Sequence, residues 1–189
     1  MSSTVETTYF DKGGPDNTEE TMELAKARAD ARGITNVVVA SYTGFAGAAA
    51  ARVFTQGNLV VVAGMVSPDR QARRAMSAEN RACIEAANGK ILFCGHAFGM
   101  MGRAVHKKFG TIQIDEIVAN VLRLFCQGVK VACECACMAA DAGLIDVGAP
   151  TISIGGTGKG ADTAIVMKPS NTQSFFDTRI HEIICKPRG

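Results

Sequence analysis

A chain of 189 residues is long enough for one domain with a sizeable core, here taken as residues 1–189. Hydrophobic residues make up 47% and charged residues 20%, the balance of a soluble globular protein, and a net charge of +2 without a basic run leaves nucleic-acid binding no electrostatic basis. The longest apolar runs are strand-sized, so no membrane association is expected, and the polar stretch 1–8 with Glu6 lacks the apolar core of a signal peptide, which makes the cytoplasm the expected location.

Thr7, Thr8, Tyr9 and Phe10 suit a short strand, and residues 11–15 a turn. Asn17 followed by Glu20 has the spacing of a capping box. The helix it starts runs to about Arg32, with Gly33 as its stop. Val37, Val38 and Val39 are consecutive and β-branched, as in a parallel strand covered on both faces. Ser41, Thr43 and Gly44 then open an alanine-rich helix over 45–56. Free N–H groups and the positive end of the helix dipole collect there, so the turn suits a phosphate. An ordinary βα turn with a hydroxyl cap is the plainer account of the same residues.

Residues 59–63 form a second buried strand, and 64–76, with Pro68, is irregular. Ser77 caps a helix to Asn88, ended by Gly89, and 90–94 is a third strand. The glycine-rich junction 95–103 follows and carries His96. A helix over about 115–127 is marked by the stripe Ile114, Ile117, Val118, Val121, Leu122 and Phe125, with Gly128 to end it. Residues 129–133 read as a fourth strand, 134–142 as a short helix and 151–154 as a fifth strand. Residues 162–168 are extended again, and 180–185 suits an edge strand. Alternating strands and helices predict a three-layer α/β/α sandwich with a mainly parallel sheet. Ligands of such sheets sit outside the carboxyl ends of the strands, so the loops after Ala40, Cys94 and Ile154 are candidates for one common site.

Residues 155–160 are the most glycine-dense part of the chain. They are not an ATP-hydrolysing P-loop: that pattern needs glycine where Ser153 stands and Ser or Thr where Gly160 stands. Gly155, Gly156, Thr157, Gly158, Lys159, Asp162 and Thr163 still supply N–H donors, a cation, a carboxylate and a hydroxyl that could wrap a polar ligand. A wide hairpin would need fewer glycines, which favours ligand contact. His96, just after a strand, suits an active site or a structural role equally, while His106 and His181 have no evident partner. Glu134 and Asp141 could form an acid/base pair roughly 10 Å apart along a helix. The catalytic candidates are therefore His96, Glu134 and Asp162. The seven cysteines are odd in number and mostly in apolar segments, which predicts reduced, buried thiols. Cys133, Cys135 and Cys137 are spaced too closely for a zinc site, so no metal is expected.

Several words of the chain resemble the small, stand-alone relatives of the pyruvate kinase C-terminal α/β domain. They are Asn17-Thr-Glu-Glu-Thr21, Val38-Val-Ala-Ser41 with Thr43-Gly44, Met138-Ala-Ala-Asp-Ala-Gly143, Gly160-Ala-Asp-Thr-Ala164 and Glu182-Ile-Ile-Cys-Lys-Pro-Arg188. The resemblance implies a three-layer sandwich of about five or six strands, without pyruvate kinase activity because the catalytic barrel of that enzyme is missing. It implies a phosphorylated small-molecule ligand on Ser41, Thr43 and Gly44, with flavin mononucleotide (FMN) as the favoured cofactor, the rest of which would lie against residues 155–163 and His96. It also implies homo-oligomer formation, since in pyruvate kinase this domain helps build subunit contacts. A flavin-dependent enzyme and a regulatory or oligomerisation module are the alternatives. One departure is Ala46, which stands where the family usually has a second hydroxyl.

Overall fold

The two valine runs lie side by side at the middle of the sheet. Val37, Val38 and Val39 belong to β2 (Asn36–Ala40), and Val60, Val61 and Val62 to β3 (Asn58–Val62); all six are buried. The computed structural model describes residues 2–65 and 76–189. Before these strands come β1 (Thr8–Phe10) and α1 (Thr18–Arg32). Between and after them are α2 (Phe45–Val53), α3 (Ala78–Ala86), β4 (Lys90–Leu92), α4 (Met100–Phe109), α5 (Ile114–Arg123) and α6 (Gln127–Asp141). The chain ends with β5 (Thr151–Gly155), β6 (Thr163–Lys168), a 3₁₀ turn at Thr172–Asp177 and β7 (Arg179–Pro187).

The sheet has seven strands in the order β1-β7-β6-β5-β2-β3-β4, more than the five or six expected. All its pairings are parallel except those of β6, which runs against both neighbours. Alternate side chains enter opposite cores, as the pleat requires. Val37, Val39, Val61 and Ile154 join Met22 of α1, Ala50 of α2 and Ile84 of α3. Val38, Val60 and Val62 meet Met138 and Ala139 of α6 on the other face. The chain is therefore an α/β protein with helices packed on both faces of a mostly parallel sheet.

Local signals place several boundaries. Gly33 takes the left-handed conformation (φ 60°) that ends α1, and the Ser77 hydroxyl accepts a hydrogen bond from the Asn80 N–H to cap α3. The left-handed residue after α3 is Asn88 (φ 56°) rather than Gly89. The capping box at Asn17 does not form. A 3₁₀ turn at Pro15–Asn17 leads into α1, and the Asn17 amide donates to the Lys12 carbonyl instead. Thr18 does the local bonding: its hydroxyl donates to the Pro15 carbonyl and accepts from the Ala161 N–H.

The largest correction concerns residues 129–133, which are helix and not strand. Gly128 does not end α5; it lies in the first turn of α6, which then runs unbroken to Asp141. The alternation Val129-Lys-Val131 mimics a strand, but the residues from Ala132 to Ala140 are mostly small and all buried. Cys133 and Cys137 face one cluster with Val129, Ala132 and Ile165, while Cys135 faces another with Met138 and Val60. A helix buried all round shows no amphipathic period, so its pattern is silent. The tail strand is also misjudged as an edge: β7 lies between β6 and β1, and the edge belongs to β1. Residues 66–75, including Pro68, lie outside the described residues. Among those described, no helix is long and apolar enough to cross a membrane.

None of the seven cysteines is paired, and Cys133, Cys135, Cys137 and Cys185 are buried. Burial pushes the Cys133 and Cys185 thiols up to about 12 and Cys137 to about 11. Since the thiolate is the reactive form, iodoacetamide at neutral pH is expected to modify at most Cys83, Cys94 and Cys126 in the native protein. All seven should react in denaturant, and intact-mass spectrometry distinguishes the two patterns. Rapid native labelling of Cys133 or Cys137 would contradict the buried position of α6.

Candidate functional site

Strands β2 and β5 are parallel neighbours, with Val39 opposite Ile154, so their following loops leave the same edge side by side. At the first loop, the Ser41 N–H donates to the Val62 carbonyl, and its hydroxyl oxygen accepts the Gly47 N–H at 2.9 Å. Ser41 is buried, but that hydroxyl keeps its own proton to donate. Thr43 is half-buried, and its carbonyl accepts from the Ser77 N–H and the Asn80 side-chain amide. Gly44 (φ 87°) precedes α2, and a Cβ there would stand 2.6 Å from Asn80 Cβ. The start of α3 thus braces the turn that opens α2. Ala46 is buried in the core with Ala49 and Ala50.

The second loop is built differently from its sequence. Asp162 is fully buried and its bonds are internal: Oδ2 accepts the Gly14 N–H at 2.9 Å and the Thr157 N–H at 3.0 Å, and Oδ1 accepts the Thr163 hydroxyl at 2.8 Å. One carboxylate therefore ties the β5–β6 hairpin to the segment before α1. The glycines also have internal reasons. A Cβ on Gly155 would meet the Gly128 carbonyl at 2.4 Å, one on Gly156 the Gly160 carbonyl at 2.6 Å, and one on Gly160 the Thr18 hydroxyl at 2.4 Å. Gly155, Gly156 and Gly160 are thus required by close approaches within the chain, and Gly158 has a positive φ of 74°. Thr157, Gly158 and Lys159 remain exposed at the tip.

His96 follows β4, two strands out from β2, and joins α6 instead of the glycine loop. Its Nδ1 lies 3.5 Å from Glu134 Oε2, and its ring is 28% exposed. Glu134 is 2% exposed. It forms an ion pair with Lys130 one turn earlier, and its Oε1 accepts the Phe98 N–H at 2.9 Å. Lys130 is itself buried, its ammonium 5.7 Å from the Phe98 ring centre. Burial works to raise the Glu134 carboxyl, but hydrogen bonds from His96 and Lys130 and their charges outweigh it and hold the group below the ordinary carboxylate range. The result is a buried cation–carboxylate pair that orients one part-exposed imidazole. Sequence reading missed Lys130 because its segment was taken as a strand; read as a helix, Lys130 and Glu134 stand at the i,i+4 spacing of an ion pair.

Asp141 does not pair with Glu134. It lies at the far end of α6, where it accepts from the Thr172 N–H and hydroxyl and from the Asn171 amide. His106 does have a partner: its Nδ1 is 3.0 Å from Glu116 Oε2. A further cleft of about 400 Å³, not foreseen from sequence, opens between α4, α5 and the 3₁₀ turn, lined by Phe98, Met101, Asp115 and Phe175 among others. Phe98 and Phe175 meet edge to face there, centres 5.0 Å apart. Among the described residues, no cluster of three or more His, Cys, Asp or Glu side chains could hold a metal ion. No family model matches this chain.

Proposed function

We propose that the chain is a stand-alone relative of the pyruvate kinase C-terminal domain that binds a phosphorylated small molecule, with FMN the favoured ligand. The reading rests on two loops that leave the same edge of adjacent parallel strands, the Ser41–Gly44 turn after β2 and the loop after β5 with Thr157, Gly158 and Lys159 exposed. A phosphate suits the start of α2: the N–H groups of the first turn have no intrahelical partner there, Ser41 has a proton to give, and Lys159 on the loop after the neighbouring strand would supply a cation. Gly47 is already committed to Ser41, and Ala46 adds no hydroxyl. The residues that would hold the ligand are therefore Ser41, Thr43, Gly44 and the tip around Lys159; Asp162 and Thr163 support that tip from below.

The Lys130–Glu134–His96 arrangement favours a second reading, a flavin-dependent enzyme. A bound flavin would supply the redox chemistry. Glu134 would fix the imidazole, and His96 would hold or move a proton at Nε2, the ring nitrogen not turned to Glu134.

FMN is expected to bind the purified protein with fluorescence quenching, and S41A/T43A to weaken binding by roughly 10- to 100-fold through lost bonds to a charged group. Unchanged affinity in the double variant would remove the assignment of the phosphate to this turn. Reduction of bound flavin by NADH or NADPH, slowed in His96→Ala, would support the enzyme over passive binding.

A further inference from the structure

The helix α5 carries a second apolar stripe that its own chain does not use. Leu122 packs with the buried Ala119 against α6, and Val118 lines the cleft. Ile114, Ile117, Val121, Leu124 and Phe125 face outward and are 79%, 54%, 53%, 84% and 52% exposed. These positions recur at three- and four-residue steps, so they form one continuous strip along the helix and its exit. At its Ile114 end the strip opens into the 400 Å³ cleft, whose rim adds Met101 and Phe176, 77% and 80% exposed.

We infer that this face is a twofold interface with a second copy of the same chain, α5 packed antiparallel against α5. The area argues for a partner. Seven large apolar side chains at this exposure present on the order of 1,000 Å², more than the roughly 300–600 Å² of the largest patch on a typical monomer and close to the ~800 Å² per partner of a standard interface. The ends of the helix argue for a copy of itself. The Ile114 end has the cleft and an acidic turn, with Asp115 lining the cleft and Glu116 held by His106; the other end has the projecting Leu124 and Phe125 and Arg123, which also donates to Asn120 and Gln127 of its own chain. An antiparallel pair sets each projecting end into the cleft of the other chain and each Arg123 near the partner's acidic turn. Both ends are satisfied at once, and the contact closes on itself. The inference does not depend on any ligand at the carboxyl edge of the sheet.

Sedimentation velocity of the full chain between about 1 and 100 µM tests it. The expected result is a species of twice the 19.8 kDa chain mass. Ile117→Glu with Leu124→Glu should weaken association at least about 100-fold, because each dimer would bury four uncompensated carboxylates. Both positions are at least half exposed, so the variant should keep the wild-type circular dichroism and melting curve. Val147→Glu, on a surface residue after α6, should leave the dimer intact. A monomer throughout the range, or a dimer that survives the double substitution, would overturn the inference. A monomer that instead floats with phospholipid vesicles through this face would assign the strip to a membrane surface and also overturn it.

Discussion

Gly155→Ala is expected to lower the free energy of unfolding by about 3 kcal/mol or more, the upper range for overpacking. The added methyl would stand 2.4 Å from the Gly128 carbonyl oxygen and 2.8 Å from the Ala132 nitrogen. Both atoms belong to the backbone of α6, so no rotamer change relieves the clash. On its other side β5 is held by ladders to β2 and β6, so the strand cannot retreat either. The first turn of α6 would have to lift from the sheet, and with it Gly128, which packs against Thr163. For a chain of this size the shift in Tm should be roughly 10 °C. Gly158→Ala is the comparison: its site has open space, and only the positive φ of 74° opposes a side chain, which costs about 1 kcal/mol. Equal melting temperatures for the two variants would show that α6 does not sit against β5 as described.

Glu134→Ala should cost a similar amount, about 3–5 kcal/mol, by a different route. It leaves the Lys130 ammonium buried without its counter-charge and the Phe98 N–H without its acceptor. The double variant Lys130→Met, Glu134→Leu removes both charges and should recover much of the loss, because an apolar pair of similar size avoids the desolvation that the ions suffer. The pH dependence follows from the lowered Glu134 carboxyl. The unfolded chain binds a proton at a higher pH than the native one, so the contribution is present above the ordinary glutamate value and is lost as pH falls through the native value. Urea midpoints between pH 6 and pH 3 should therefore fall more steeply for wild type than for the double variant. Parallel curves would remove Glu134 as the source of the acid sensitivity.

These two variants also separate architecture from chemistry. Gly155 carries no functional group, so its effect reports packing alone. Glu134 orients His96, and the Lys130→Met, Glu134→Leu protein would be folded but would lack that orientation. If His96 moves a proton at a bound flavin, that protein should bind FMN and fail to turn it over.

The sequence alone determined the features that depend on near neighbours. The valine runs announced β2 and β3 because β-branched side chains covered on both faces need no alternation. Gly33 and Ser77 marked the ends of α1 and α3 because left-handed turns and hydroxyl caps are local chemistry. The alternation of strands and helices then implied the α/β class and put the candidate loops at one edge. Only the tertiary structure decided what rests on distant partners. Residues 129–133 are helix because α6 is buried on every side, which erases the period that would announce it. The glycines of 155–160 serve approaches by backbone from Gly128 and Gly160 and by Thr18, and Asp162 serves Gly14, 148 residues away. Lys130 and His96 meet on Glu134 only once the helix is formed and the loop after β4 is laid against it. On α5 the sequence showed an apolar stripe, but which half of it the chain keeps for its own core was settled by where α6 lies. That side meets the small residues of α6, and the other half is left facing outward.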